Sequence, residues 1–204
     1  MKATLKRLAI ATAASLLCAS AASATVLTSN LSVDNGFQVY ISTSNSEQGV
    51  LFGSGNNWEF TYTSTATLDV YTNYFLHVRS YDQGGVAGML GQFSLEGTDH
   101  RFANGLSTLS TDTTNWFGNT TGFSAPYTSV FSMGSNGVGP WNSRPGISGN
   151  AQWIWSGNAD ANDEAFFTTQ ILATSEAPSD VPEPASLALL GLGLAGISAL
   201  RKRK

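Results

Sequence analysis

The sequence predicts an all-β fold, a two-sheet antiparallel sandwich, and three observations carry that expectation. Short apolar runs alternate at period two from residue 25 to about 175, with little helical periodicity. Clusters of Gly, Asn and Ser separate these runs at intervals of roughly ten residues, as turns between short strands require. Thr, Ser, Gly, Asn and aromatic residues dominate while Lys, Glu and Leu are scarce, which is a strand-and-loop composition.

The elements follow in order. In GFQVYIS, Phe37, Val39 and Ile41 fall on one face. In NWEFTYT, Trp58, Phe60 and Tyr62 align, with Glu59 and Thr61 opposite. TATLDVYT places Leu68 with Val70, and NYFLHVRSY places Tyr74, Leu76 and Val78 together, with His77 on the other face. QFSL, TSVFSM, QWIWS and FFTTQIL complete the strands, and GSGNN (53–57), DQGG (82–85) and residues 134–140 form turns. Residues 97–144 are the least regular, holding Trp116, Phe117, Phe123, Tyr127 and Trp141 among Gly, Asn, Thr and Pro. Long aromatic loops on a β scaffold serve as ligand sites or pack on themselves, and self-packing carries more weight here. In the ligand reading, Trp116, Tyr127 and Trp141 face a glycan.

The ends differ from the body. MKATLKRLAIATAASLLCASAASATV has three cations, a short apolar run and an A-x-A site at Ala22 and Ala24. It reads as a signal peptide over 1–24, with Leu17 before Cys18 arguing against lipoprotein acylation. The domain then covers 25–173, without a cysteine for disulfide or metal. The overall charge of −4 conceals a body in which Arg79, Arg101 and Arg144 face thirteen carboxylates, a net of −10 over residues 25–180. Such a surface argues against nucleic acid and against anionic lipid, both of which need clustered cations.

Catalytic constellations are absent from the sequence pattern. His77 and His100 stand in no metal-ligand spacing, and no G-x-S-x-G elbow occurs. Asp82, Asp99 and Asp163 are carboxylates of the type that pair in glycoside hydrolysis, but spacing alone pairs none of them. The expectation is no catalytic residue and no cofactor. The single metal candidate is calcium at Asp160, Asn162 and Glu164, within a D-x-N-x-E run. Ala165 and Ile171 stand where an EF-hand needs Gly and Glu, so the EF-hand is excluded. The competing reading of that run is a polar hairpin turn. Trp153 and Trp155 point to one face of a strand, as core or as a sugar-stacking platform.

The stretch NAQWIWSGNADANDEAFFTTQI resembles the terminal strand–loop–strand of galactose-binding-like β-sandwiches, with Thr168 where those domains often carry Arg. The resemblance implies a jelly-roll of two antiparallel sheets, structural roles for Trp153 and Trp155, and non-catalytic carbohydrate or surface binding.

The C-terminus, VPEPASLALLGLGLAGISALRKRK, follows a polar linker over 174–181. Residues 185–200 lack any polar face, which rules out a soluble surface helix. Gly191, Gly193 and Gly196 match a dinucleotide fingerprint only superficially, since no βαβ unit surrounds them. A transmembrane helix of sixteen residues reaches about 24 Å, short of a roughly 30 Å hydrocarbon core. Arg201, Lys202, Arg203 and Lys204 would stay on the cytoplasmic side. Pro182-Glu183-Pro184, the apolar span and the basic end together resemble the PEP-CTERM sorting signal of Gram-negative bacteria. That resemblance implies recognition by an exosortase-type processing enzyme after use of the export machinery. It also implies crossing of the inner membrane, transient anchoring through the helix, and delivery to the cell surface or matrix. The leading expectation is thus a non-enzymatic surface protein binding exopolysaccharide. The alternative is a structural biofilm-matrix component acting by self-association or calcium-dependent assembly, and an extracellular glycosidase ranks third.

Overall fold

The structure, a computed structural model, describes residues 24–175. The chain divides into two units, Met1–Thr174 and Ser175–Lys204, and the β domain belongs to the first. The signal segment up to Ala22, most of the linker, Pro182-Glu183-Pro184, the 185–200 span and Arg201 to Lys204 lie outside the described residues. Among the described residues there is no helix, and so none long and apolar enough to cross a membrane.

Among the described residues thirteen strands form two antiparallel sheets. One contains β1 (Thr25–Asp34), β4 (Tyr62–Leu68), β6 (Gly88–Glu96), β8 (Thr108–Ser110), β11 (Phe131–Ser135) and β12 (Gln152–Trp155). Its order is β11-β12-β6-β1-β4, with β8 also paired to β6. The other contains β2 (Gly36–Ser42), β3 (Val50–Gly55), β5 (Tyr74–Tyr81), β7 (His100–Phe102), β9 (Phe117–Asn119), β10 (Thr128–Ser129) and β13 (Glu164–Ala173). It runs β10-β9-β13-β5-β2-β3, with β7 on β13. Only β2–β3, β9–β10 and β11–β12 connect within a sheet; every other connection between these strands crosses to the opposite one. The two-sheet sandwich is therefore as the alternation predicts.

Between the sheets lies one apolar core, with Leu27, Leu31 and Val33 of β1, Phe37 and Val39 of β2, Leu76 and Val78 of β5, Phe93 of β6, Trp155 of β12 and Phe167 of β13. A second cluster of Leu90, Trp141, Ile147, Ala151 and Trp153 involves the loop between β11 and β12. Asn136 organises that loop, donating to the carbonyls of Arg144 (3.1 Å) and Ile147 (2.9 Å) while accepting from Arg144 N at 2.7 Å. Gly88 is required where Trp141 and Trp153 stack at 4.4 Å, since a Cβ there would lie 2.9 Å from a carbon of each ring. Trp153 and Trp155 are both fully buried, but they serve different clusters and form no joint platform.

Three local expectations are corrected. Trp58, Glu59 and Phe60 are in a turn, because Asn57 captures the backbone: its Oδ1 accepts Glu59 N at 2.9 Å and its carbonyl accepts Phe60 N at 3.3 Å. Val70 is likewise in a turn, followed by Tyr71 at φ 63°, so it does not extend the strand that ends at Leu68. The polar run 156–163 closes no hairpin, for β12 and β13 belong to different sheets and the run crosses between them.

Candidate functional site

Alternation along β5 sends Leu76, Val78 and Ser80 into the sandwich and leaves Phe75, His77 and Arg79 on the outer face of the seven-stranded sheet. The register carries that face across four strands. Tyr40 of β2 lies opposite His77, His77 opposite Thr168 of β13, and Thr168 opposite Phe117 of β9. Beside this row, Phe75 is opposite Gln170. Positions that would ordinarily be polar and wet thus hold an aromatic cluster.

Two loops roof it. From residues 120–127, Phe123 stacks on His77 at 5.4 Å and meets Tyr40 and Phe166 edge-on at 5.5 and 4.9 Å. Tyr127 stacks on His77 at 6.0 Å. From the β2–β3 turn, Asn45 accepts a 2.7 Å hydrogen bond from Thr168 Oγ1, and the same oxygen lies 3.4 Å from His77 Nε2. His77 is consequently buried on an outer face. Desolvation pushes its pKa below the ordinary 6.5, with backbone hydrogen bonds at Gln48 and Glu47 opposing, so the ring is neutral near pH 7.

The roof stops short of covering the face. A cleft of about 360 Å³ remains, with Phe75, Phe117 and Tyr127 as its aromatic walls and Asn45, Asn115, Thr168 and Gln170 among its polar lining. Phe117 is 44% exposed. Asn115 is fixed through its Nδ2, which donates to Asp112 Oδ2 at 2.8 Å. Tyr127 Oη is buried without a hydrogen-bond partner, and burial pushes the phenol pKa up to about 12. Among the described residues the lining contains no Asp, Glu, Lys or Arg. Aromatic faces beside uncharged amides and hydroxyls fit a neutral polar ligand that also presents apolar C–H surface.

Of the three aromatics expected to face a glycan, the structure brings only Tyr127 to this cleft. Trp116 is buried in the core, 5.2 Å from Phe93, with Nε1 donating to Ser110 O at 3.2 Å. Trp141 is buried in the second cluster, with Nε1 donating to Asp34 Oδ2 at 2.8 Å. Neither ring has a free face, because the loops carrying them fold onto the sheets. Phe75 and Asn45 are not singled out by the sequence, and Phe117 only as one aromatic of the 97–144 segment; an aromatic at the outward positions 75 and 77 of β5 is the available signal.

The expected calcium trio lies in and just after the crossing loop between β12 and β13. Asp160 is exposed in the crossing loop, Asn162 Oδ1 accepts Asn158 N at 2.7 Å, and Glu164 is ion-paired with Arg79 on β5. Among the described residues no group of three or more His, Cys, Asp or Glu converges. His100 is structural in its contacts, with Nδ1 2.9 Å from Thr25 Oγ1 and Nε2 2.9 Å from Thr72 O.

No curated protein and no solved structure matches the chain. Residues 180–204 match the model of the PEP-CTERM protein-sorting motif. This chain therefore carries a PEP-CTERM sorting motif at residues 180–204, which supports an exported protein sorted by an exosortase.

Proposed function

We propose that this chain is a non-enzymatic surface or matrix protein whose outer-face cleft binds a neutral glycan of the exopolysaccharide kind. The observation that supports it is the cleft: Phe75, Phe117 and Tyr127 offer ring surface, while Asn45, Asn115, Thr168 and Gln170 offer hydrogen bonds, with no charge among the described lining residues. A glycosidase at this position would need two carboxylates flanking the bond it cleaves, and this lining supplies none. The two-sheet body is compatible with a galactose-binding-like sandwich, whose binding modules act without catalysis. Residues 1–24 are removed on export in this account. Residues 185–200 then hold the protein transiently in the inner membrane until an exosortase-type enzyme acts at Pro182-Glu183-Pro184. Titration of the full-length protein with neutral and uronate-rich polysaccharide fractions tests the reading. Heat from the neutral fractions alone supports it, and silence with every fraction sinks it.

The alternative, a matrix component acting by self-association, draws on β3. That strand ends the seven-stranded sheet, and its Val50 and Leu51 are 70% and 50% exposed. Exposed apolar edges favour pairing with another chain. Light scattering across a concentration series separates the two, since glycan binding requires no growth in size.

A further inference from the structure

Three crossings between the sheets meet at one end of the sandwich: residues 34–36 between β1 and β2, 82–87 between β5 and β6, and 156–163 between β12 and β13. Backbone hydrogen bonds tie them together. Asn35 N donates to Tyr81 O at 2.8 Å, Asp82 N to Asp163 O at 2.8 Å, and Ala87 N to Ala159 O at 3.0 Å. Asn35 Oδ1 accepts Gln83 N at 2.6 Å.

Two carboxylates are drawn into this junction. Asp82 is only 7% exposed; its Oδ2 accepts Gly84 N at 2.9 Å, but its Oδ1 is buried with no partner. Asp34 is half-buried, and one of its oxygens accepts Trp141 Nε1 at 2.8 Å. Asn35, next to Asp34, bonds to Tyr81 and Gln83 on either side of Asp82, which holds the two acids at one junction. Burial, and after it the charge of Asp82, raises the Asp34 pKa against the Trp141 hydrogen bond.

Among the described residues no side-chain cation offsets this. Arg79 donates to Glu164 and Gln38, Arg101 to the carbonyls of Gly97 and His100, and Arg144 to those of Trp58 and Trp141. These are the three cations of the body, and each is engaged elsewhere. A buried carboxylate oxygen with no donor, beside a second carboxylate, needs a positive charge or a proton.

We propose that Asp34 and Asp82 form a calcium site at the junction of these crossings, with Asp82 Oδ1 as its buried ligand. Calcium suits it better than magnesium or zinc. The donors are all oxygen, and calcium accepts an irregular shell completed by backbone carbonyls and water, whereas magnesium demands near-ideal octahedral geometry and zinc favours nitrogen and sulfur. Extracellular calcium is abundant enough for the weak sites typical of exported modules. Bound there, the ion would fasten two crossings of the sandwich and reach Trp141 through Asp34. This site is distinct from the Asp160, Asn162 and Glu164 set and does not depend on the glycan reading.

The test is calorimetric titration of calcium chloride into the full-length, chelator-treated protein, run beside Asp82→Asn and Asp34→Asn, which keep side-chain shape and remove charge. One calcium per chain is expected, weakened at least tenfold in either variant, with a calcium-dependent rise in melting temperature confined to the wild type. Trp141 adds a near-ultraviolet circular dichroism change on calcium addition, readable even where one variant fails to fold. Absence of heat and of any thermal shift at roughly 10 mM calcium, well above the ~0.1–1 mM dissociation constants of extracellular modules, overturns the proposal. Undiminished calcium binding in both variants also overturns it. A stabilised Asp82→Asn with a calcium-indifferent wild type would mean that the carboxylates share a proton instead.

Discussion

Phe117→Ala separates the cleft from the fold when it is paired with Phe131→Ala. The two side chains are 44% and 40% exposed, yet Phe117 lines the cleft and Phe131, on β11 of the other sheet, does not. Truncating a fully buried Phe costs about 3–5 kcal/mol, and the burial of these two scales that to about 2 kcal/mol each. For a domain of this size, 2 kcal/mol lowers the melting temperature by about 4–8 °C. Both variants should therefore melt alike. Glycan affinity should not be alike, because loss of an aromatic anchor at the centre of a contact costs about 2 kcal/mol, or roughly 30-fold. Calorimetry with a neutral polysaccharide that binds the wild type reads the second effect, and a thermal melt reads the first. Equal affinities in the two variants, with matching melts, would refute the assignment of this cleft.

Further expectations concern the cleft and the tail. Tyr127→Phe removes a buried hydroxyl that has no partner in the protein, so stability should rise by about 1 kcal/mol while glycan binding, which meets the retained ring, stays unchanged. An ultraviolet pH titration should lose a tyrosine step near pH 12 in the same variant. His77 is held neutral by burial, so the unfolded chain protonates first as pH drops below 6.5. Stability should be full above that pH, fall below it until the folded-state pKa is passed, and lose this slope in His77→Gln under denaturant melts. Alanine at Pro182, Glu183 and Pro184 should leave the Arg201-Lys202-Arg203-Lys204 end attached, as read by mass spectrometry. An intact basic end on wild-type protein recovered from the surface would contradict cleavage.

The extent to which this molecule could be read from its sequence follows the range of the interactions involved. β2, β5 and β13 were legible because their inward residues alternate without interruption, as in Leu76, Val78 and Ser80. β1 escaped notice because Ser29 and Ser32 are buried among its apolar positions and blur the period. Asn57 diverted an alternating run into a turn by local side-chain capture, which outweighs a three-residue pattern. The cleft was hidden for a different reason. Its roof depends on contacts such as Asn45 to Thr168, 123 residues apart, and no local spacing encodes them. Trp116 and Trp141 misled because the same aromatic-rich loops that build a ligand site also bury their own rings. The sorting segment was the most legible part, since a linear motif is recognised as sequence before any tertiary contact matters.

The most direct test of the central claim is a crystal structure of the protein soaked with an oligosaccharide from the neutral polysaccharide it binds. The account predicts a sugar ring against Phe117 and Phe75, hydrogen-bonded to Asn45 or Gln170. Sugar density elsewhere on the sandwich, with this cleft holding only solvent, would contradict it.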